Sequence, residues 1–119
     1  MSLMFYSYPS CSTCRKAKKW LEENHFEFKE IHIVNNTPTS NEIKQMHENS
    51  SLELKKFFNT SGKKYRELGL KDKLPTATEE ELYELLASDG MLIKRPIVTD
   101  GEKVTVGFKE SEFEGTWIS

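Results

Sequence analysis

Leu3-Met4-Phe5-Tyr6-Ser7-Tyr8-Pro9-Ser10-Cys11-Ser12-Thr13-Cys14-Arg15-Lys16 decides how the chain folds, because it joins an uncharged, aromatic-rich run to a helical one through a loop holding both cysteines. The uncharged run suits a buried central strand, and Pro9 stops it. Ala17, Trp20 and Leu21 then recur at helical spacing, with Arg15, Lys16, Lys18 and Lys19 on the other side. That spacing predicts an amphipathic helix over about 12–24 lying on a sheet. Phe26, Phe28, Ile31 and Ile33 predict a second strand within about 26–34, whose alternation slips near Glu30, as at a bulge or an early end. Two strands joined through one helix form a right-handed parallel unit.

The next segment changes period. Thr39-x-x-Glu42 has the form of a capping box, Ile43 and Met46 share a helical face, and Leu54, Phe57 and Phe58 repeat the i, i+3, i+4 spacing. A helical insertion is expected, broken at Asn59-Thr60-Ser61-Gly62, with Gly69 placed like a glycine closing a helix. Thr78-x-x-Glu81 is a second box, opening a helix over about 78–88 that carries Leu82, Leu85 and Leu86 and stops at Asp89-Gly90. Glu79-Glu80-Glu81 is the acidic bias of its first turn. Pro96-Ile97-Val98-Thr99 and Lys103-Val104-Thr105-Val106 flank Asp100-Gly101-Glu102, a hairpin signal, and a short terminal helix is expected within about 109–114.

The reading is therefore one domain over residues 1–119: an α/β core from about 1–36 and 89–119 with a helical insertion over about 37–88. A C-x-x-C at the first strand-to-helix turn of such a unit reads as a thioredoxin-like, glutaredoxin-like mixed sheet.

Composition narrows the function classes. Seventeen basic against nineteen acidic residues leave a net charge of -2, with no general pull toward nucleic acid or an anionic membrane, so neither is expected as a direct partner. No apolar run reaches the roughly 18 residues that span a bilayer, and no signal-peptide pattern opens the chain, so a cytoplasmic protein is expected. A reducing compartment disfavours a structural disulfide and leaves metal binding or redox chemistry for Cys11 and Cys14. His25, His32 and His47 are scattered without metal-ligand spacing. They read as surface or packing residues, with no metal or cofactor expected.

The thiolate is the nucleophile. Cys11 precedes the helix, where unpaired N–H groups and the helix dipole favour an anion, and Arg15 and Lys16 add positive charge. Cys14, one turn in, reaches the same sulfur from a more enclosed place. Cys11 is thus the candidate attacking thiolate, Cys14 the resolving thiol and Arg15 an electrostatic helper. The alternatives are two small buried hydrophobes or half of a metal site. Lys94-Arg95-Pro96 comes directly before a strand, where a proline is tolerated and an X-Pro bond can be cis. Arg95 and Pro96, facing Cys11, are the candidate substrate-binding residues. Trp20, Phe57 and Phe58 read as core.

Tyr8-Pro9-Ser10-Cys11-Ser12-Thr13-Cys14-Arg15-Lys16-Ala17, Tyr65-Arg66-Glu67-Leu68-Gly69-Leu70, Leu92-Ile93-Lys94-Arg95-Pro96-Ile97 and Val106-Gly107-Phe108 together resemble the arsenate reductase/Spx family. Within it the chain is most similar to the Spx/MgsR-type proteins of Gram-positive bacteria. The resemblance implies a thioredoxin-like fold with an inserted helical subdomain and a C-x-x-C that serves as a redox switch or active centre. In the arsenate reductases Cys11 would match the cysteine that attacks the oxyanion, with Arg15 and Arg95 matching anion-holding arginines. Those enzymes carry serine at the position of Cys14, so the cysteine here implies an internal disulfide. The resemblance also implies partners: a low-molecular-weight thiol or thioredoxin-type reductant and, for an Spx-like regulator, the RNA polymerase alpha subunit. The chain is expected to act as a monomer.

Overall fold

The fold is that of a computed structural model, which describes residues 2–118; Met1 and Ser119, the two ends of the single-domain reading, lie outside the described residues. Strand β1 (Leu3–Ser7) leads into helix α1 (Ser12–Glu23) and a parallel strand β2 (Phe28–His32). A late hairpin, β3 (Ile97–Thr99) and β4 (Val104–Val106), adds antiparallel to the other side of β1. The sheet order is β2-β1-β3-β4, so the uncharged strand is central, as its composition requires. Phe5 is fully buried there and Leu3 and Tyr6 nearly so.

Pairing of β1 with β2 runs unbroken from Leu3↔Phe28 to Ser7↔His32. The slip in alternation near Glu30 is therefore no bulge: Phe28 packs on the α1 face and Ile31 and Ile33 on the opposite one, and the strand ends at His32, two residues short of the expected bound. One face of the sheet carries α1, whose Cys14, Ala17, Trp20 and Leu21 pack with Leu3, Phe5, Val98, Phe113 and Trp117. Trp20 stacks on Phe26 and meets the edge of Phe113.

The other face is covered by the chain between β2 and β3. Helix α2 (Ser40–Ser50) and helix α5 (Glu79–Ser88) both begin with completed capping boxes at Thr39 and Thr78. Between them lie two short helices, α3 (Lys63–Glu67) and α4 (Leu70–Lys73), with Gly69 in the left-handed conformation at their junction, φ 62°. Leu54, Phe57 and Phe58 depart from the helical expectation. Leu54–Phe57 is a 3-10 turn, and Phe58 is extended and bridges Ile93. Side chains at i and i+3 align in a 3-10 turn too, so the spacing of the three apolar residues did not separate the two.

That bridge fastens the helical layer to the segment entering β3. Lys94 N–H donates to Phe57 O and Asn59 N–H to Leu92 O, both at 2.8 Å. Gly90, opening a 3-10 turn (Gly90–Leu92), lies flat on the end of β2: a Cβ there would sit 2.2 Å from the carbonyl oxygen of Ile33. The terminal helix α6 (Glu110–Phe113) runs on into a π-helical turn (Glu114–Ile118), longer than expected, and the added turn seats Trp117 beside Thr105. No helix among the described residues is long and apolar enough to cross a membrane.

Candidate functional site

The turn after β1 places the two sulfurs. Cys11 N–H donates to Tyr8 O at 3.0 Å, which folds the Pro9-Ser10 corner back and leaves Cys11 as the N-cap of α1. Serine and aspartate usually cap a helix through a side-chain oxygen; here the Cys11 sulfur does so, accepting the Cys14 N–H at 3.3 Å. No acidic residue stands in the first turn of α1, so no carboxylate competes for those amides. Cys11 is partly exposed, Cys14 is 3% exposed, and both are free thiols.

Burial pushes the Cys14 thiol up to about 12, aided by its hydrogen bond to Cys11 and by the charge that sulfur carries when ionised. A hydrogen bond from the Tyr8 backbone and the positive charge of Arg95 pull the other way. The inner cysteine thus keeps its proton, and the outer one meets solvent.

The two arginines are placed differently. Arg15 is exposed and donates from Nη1 to Pro9 O at 3.0 Å, tying α1 to the loop that carries Cys11. Arg95 is half-buried beneath that loop. Its Nη1 donates to Ile93 O at 3.2 Å, and its guanidinium carbon lies 5.1 Å from the centre of the Tyr8 ring. Its Nε is buried without a hydrogen-bond partner among the described residues. The Arg95-Pro96 peptide bond is cis, and Pro96 is buried at the start of β3.

Cys11, Thr13 and Arg95 open on a cleft of about 770 Å³. Its other walls are Lys56, Phe58 and Asn59 from the helical layer, Val104 to Val106 of β4 with Gly107 after it, and Phe108, Lys109 and Glu112 from the terminal segment. Lys94 also lines it. Lys56, Lys94 and Lys109 form no ion pair among the described residues. Sequence reasoning brought Cys11, Cys14, Arg15, Arg95 and Pro96 to one region but missed Tyr8 as the platform under Arg95, and missed Lys56, Lys109 and β4. Only the aromatic residue directly before Pro9 offered a signal.

No group of three or more His, Cys, Asp or Glu side chains among the described residues is arranged to hold a metal ion. His47 Nδ1 instead meets the Tyr83 hydroxyl at 2.7 Å, and His32 Nδ1 accepts the amides of Val34 and Asn35.

A family model described as the ArsC family matches residues 6–116. The chain is 67% identical over 117 residues to YusI of Bacillus subtilis, covering 98% of this chain and 99% of that one. It is 36% identical over 110 residues to the regulatory protein MgsR of the same organism, covering 92% and 86%. Among solved structures, an ArsC family related protein from Bacteroides fragilis superposes with a TM-score of 0.93 at 53% identity, over 97% of each chain.

Proposed function

Because this chain belongs to the ArsC family, with its thioredoxin-like mixed sheet, we propose that it is a thiol-disulfide redox protein working through Cys11 and Cys14. The observation that carries the reading is the pair itself: a partly exposed sulfur capping a helix and facing a cleft, with a protonated thiol buried behind it.

The Cys11 thiolate attacks one sulfur of a substrate disulfide. A Cys11–S bond forms, the substrate S–S bond breaks, and the first substrate sulfur leaves as a thiolate. Cys14 then loses its proton to the departing sulfur or to water and attacks Cys11. The Cys11–Cys14 disulfide forms and the second substrate sulfur leaves. The substrate has gained two electrons that the cysteine pair has lost, and a low-molecular-weight thiol or a thioredoxin-type protein returns them. Arg95, beside Cys14, stabilises negative charge on the inner sulfur as its proton departs.

The test is a titration of the intact protein in redox buffers, following the Cys11–Cys14 disulfide by mass after alkylation of free thiols. Reversible closure with turnover of a small disulfide is expected. A pair that never closes while Cys11 still alkylates overturns the resolving role of Cys14.

The likeness to a protein named as regulatory supports a second reading, in which closure of the same pair changes binding to the RNA polymerase alpha subunit. Capture of the alpha C-terminal domain with an affinity that differs between oxidised and reduced protein is its expected sign.

A further inference from the structure

β4 is an edge strand, and the register shows which of its backbone groups are spare. Asp100 N–H donates to Lys103 O and Gly107 N–H to Pro96 O, so within the register Ile97↔Val106, Val98↔Thr105, Thr99↔Val104 the hydrogen-bonded pair is Val98 with Thr105. The N–H and C=O groups of Val104 and Val106 therefore point away from β3. No loop or side chain among the described residues takes them up.

That free edge and Cys11 line one cleft, with β3 standing between β4 and the central strand that leads to Cys11. Successive strand side chains point to opposite faces, yet Val104, Thr105, Val106 and Gly107 all line the cleft, as they do when the edge itself is turned toward it. The cleft is also one-sided in charge. Among the described residues, Lys56, Lys94 and Lys109 line it without an ion pair, Glu112 is the one carboxylate, and Arg95 lines it too, with a buried Nε that has no hydrogen-bond partner, in a chain whose net charge is -2.

We propose that β4 takes up an extended, acidic segment of a partner protein as an added strand, and that the shared cleft lets a cystine or cysteine of the segment reach Cys11. Main-chain pairing with Val104 and Val106 gives the affinity, and the lysines select acidic flanks while turning away basic or neutral strands. A second copy of this chain is a poor occupant, because it would bring the same lysine-lined cleft against itself. The docking stands apart from the chemistry; the delivery of sulfur to Cys11 rests on the proposed redox reading.

The test uses the full reduced chain and labelled peptides of about ten residues, rich in valine and threonine, with acidic flanks and a central serine. Fluorescence anisotropy is expected to show binding at least about tenfold tighter than for the same peptide with lysine flanks. N-methylation of alternate backbone amides is expected to abolish binding in one register and spare it in the other, and Lys109→Gln weakens it about threefold. Equal binding by both N-methyl registers overturns strand addition, leaving general attraction of anions. Dimerisation of the chain that the acidic peptide displaces names a second copy as the occupant and overturns the proposal.

Replacing the central serine with a cysteine carried as a mixed disulfide separates the two readings. Cys11 is expected to attack the acidic peptide disulfide at least about tenfold faster than the basic one. If it attacks a small neutral disulfide but reacts equally with both peptides, the delivery claim falls and the redox reading stands. If Cys11 is inert to all three, the redox reading falls, and anisotropy alone decides the docking.

Discussion

The Cys14 amide donates to the Cys11 sulfur across 3.3 Å, so the two cysteines are already joined while both are reduced. The contact holds the backbone of the inner residue against the outer sulfur, and the two thiols are hydrogen-bonded to one another as well. It separates the roles as well, since burial holds the proton on one sulfur and the cleft exposes the other.

That separation predicts opposite outcomes for two single substitutions. Cys11→Ser is expected to abolish reaction with a small disulfide. Cys14→Ser keeps the first attack and stops at the mixed disulfide. Intact mass after incubation reads both: a persistent adduct on Cys14→Ser and none on Cys11→Ser. An adduct that forms on Cys11→Ser reverses the assignment.

The raised Cys14 pKa predicts a pH dependence of stability. Folding holds the Cys14 proton, so its stabilising contribution is complete below the ordinary thiol value of 9.0 and is lost as pH rises through that value toward about 12. Other groups titrate in the same window, including Tyr6, which burial and then Glu42 push upward. The difference between wild-type and Cys14→Ala urea curves isolates the thiol. That difference is expected to shrink from pH 8 to pH 11, and a constant difference contradicts the buried thiol.

Glu30 carries a pH effect of the opposite sign. Burial alone would raise its pKa, but the hydrogen bonds from Lys18 at 2.9 Å and Ser7 at 3.0 Å, with the Lys18 charge, bring it below the ordinary glutamate value. Its contribution is present above the unfolded carboxylate value and disappears as pH falls through the lowered one. Both side chains of the ion pair are about two-fifths exposed, 41% and 42%, so solvent screening holds the effect of Glu30→Gln below about 1 kcal/mol. Thermal melts between pH 3 and pH 7 test whether the variant flattens the acid limb.

Two glycines separate crowding from backbone conformation. At Gly90 a Cβ meets Ile33 O at 2.2 Å and Ile33 C at 2.8 Å, both backbone, so Gly90→Ala is expected to cost about 3 kcal/mol or more. At Gly101, φ is 97° with nothing within 4 Å, and Gly101→Ala is expected to cost about 1–2 kcal/mol through conformation alone. Urea midpoints rank the pair, and equal losses contradict the close approach at Gly90.

What the sequence revealed follows the range of the forces involved. β1, α1, both capping boxes and the hairpin are set by neighbours within a few residues, and periodicity exposes them. Cys11 and Cys14 were legible for the same reason, lying three positions apart on one helix end. The extended state of Phe58 was not, because its partner is Ile93, far along the chain. Nor did Leu-Lys-Lys-Phe-Phe at 54–58 contain enough turns to separate 3-10 from α geometry. The seat of Arg95 over Tyr8 and the sharing of one cleft by β4 and Cys11 are tertiary facts. They arise only when β3 closes against β1, and no window of sequence holds both partners.

The strip of backbone from Phe57 to Asn59, stitched to Leu92 and Lys94, has a mechanical meaning. The helices between β2 and β3 do not hang from a slack tether. They are clamped at Gly90 and again at Ile93, just ahead of the arginine whose charge acts on the Cys14 thiol. A packed protein transmits displacement instead of absorbing it. The helical side of the molecule is therefore fastened within two residues of Arg95, so the layer that walls the cleft and the charge beside the inner sulfur share one anchor.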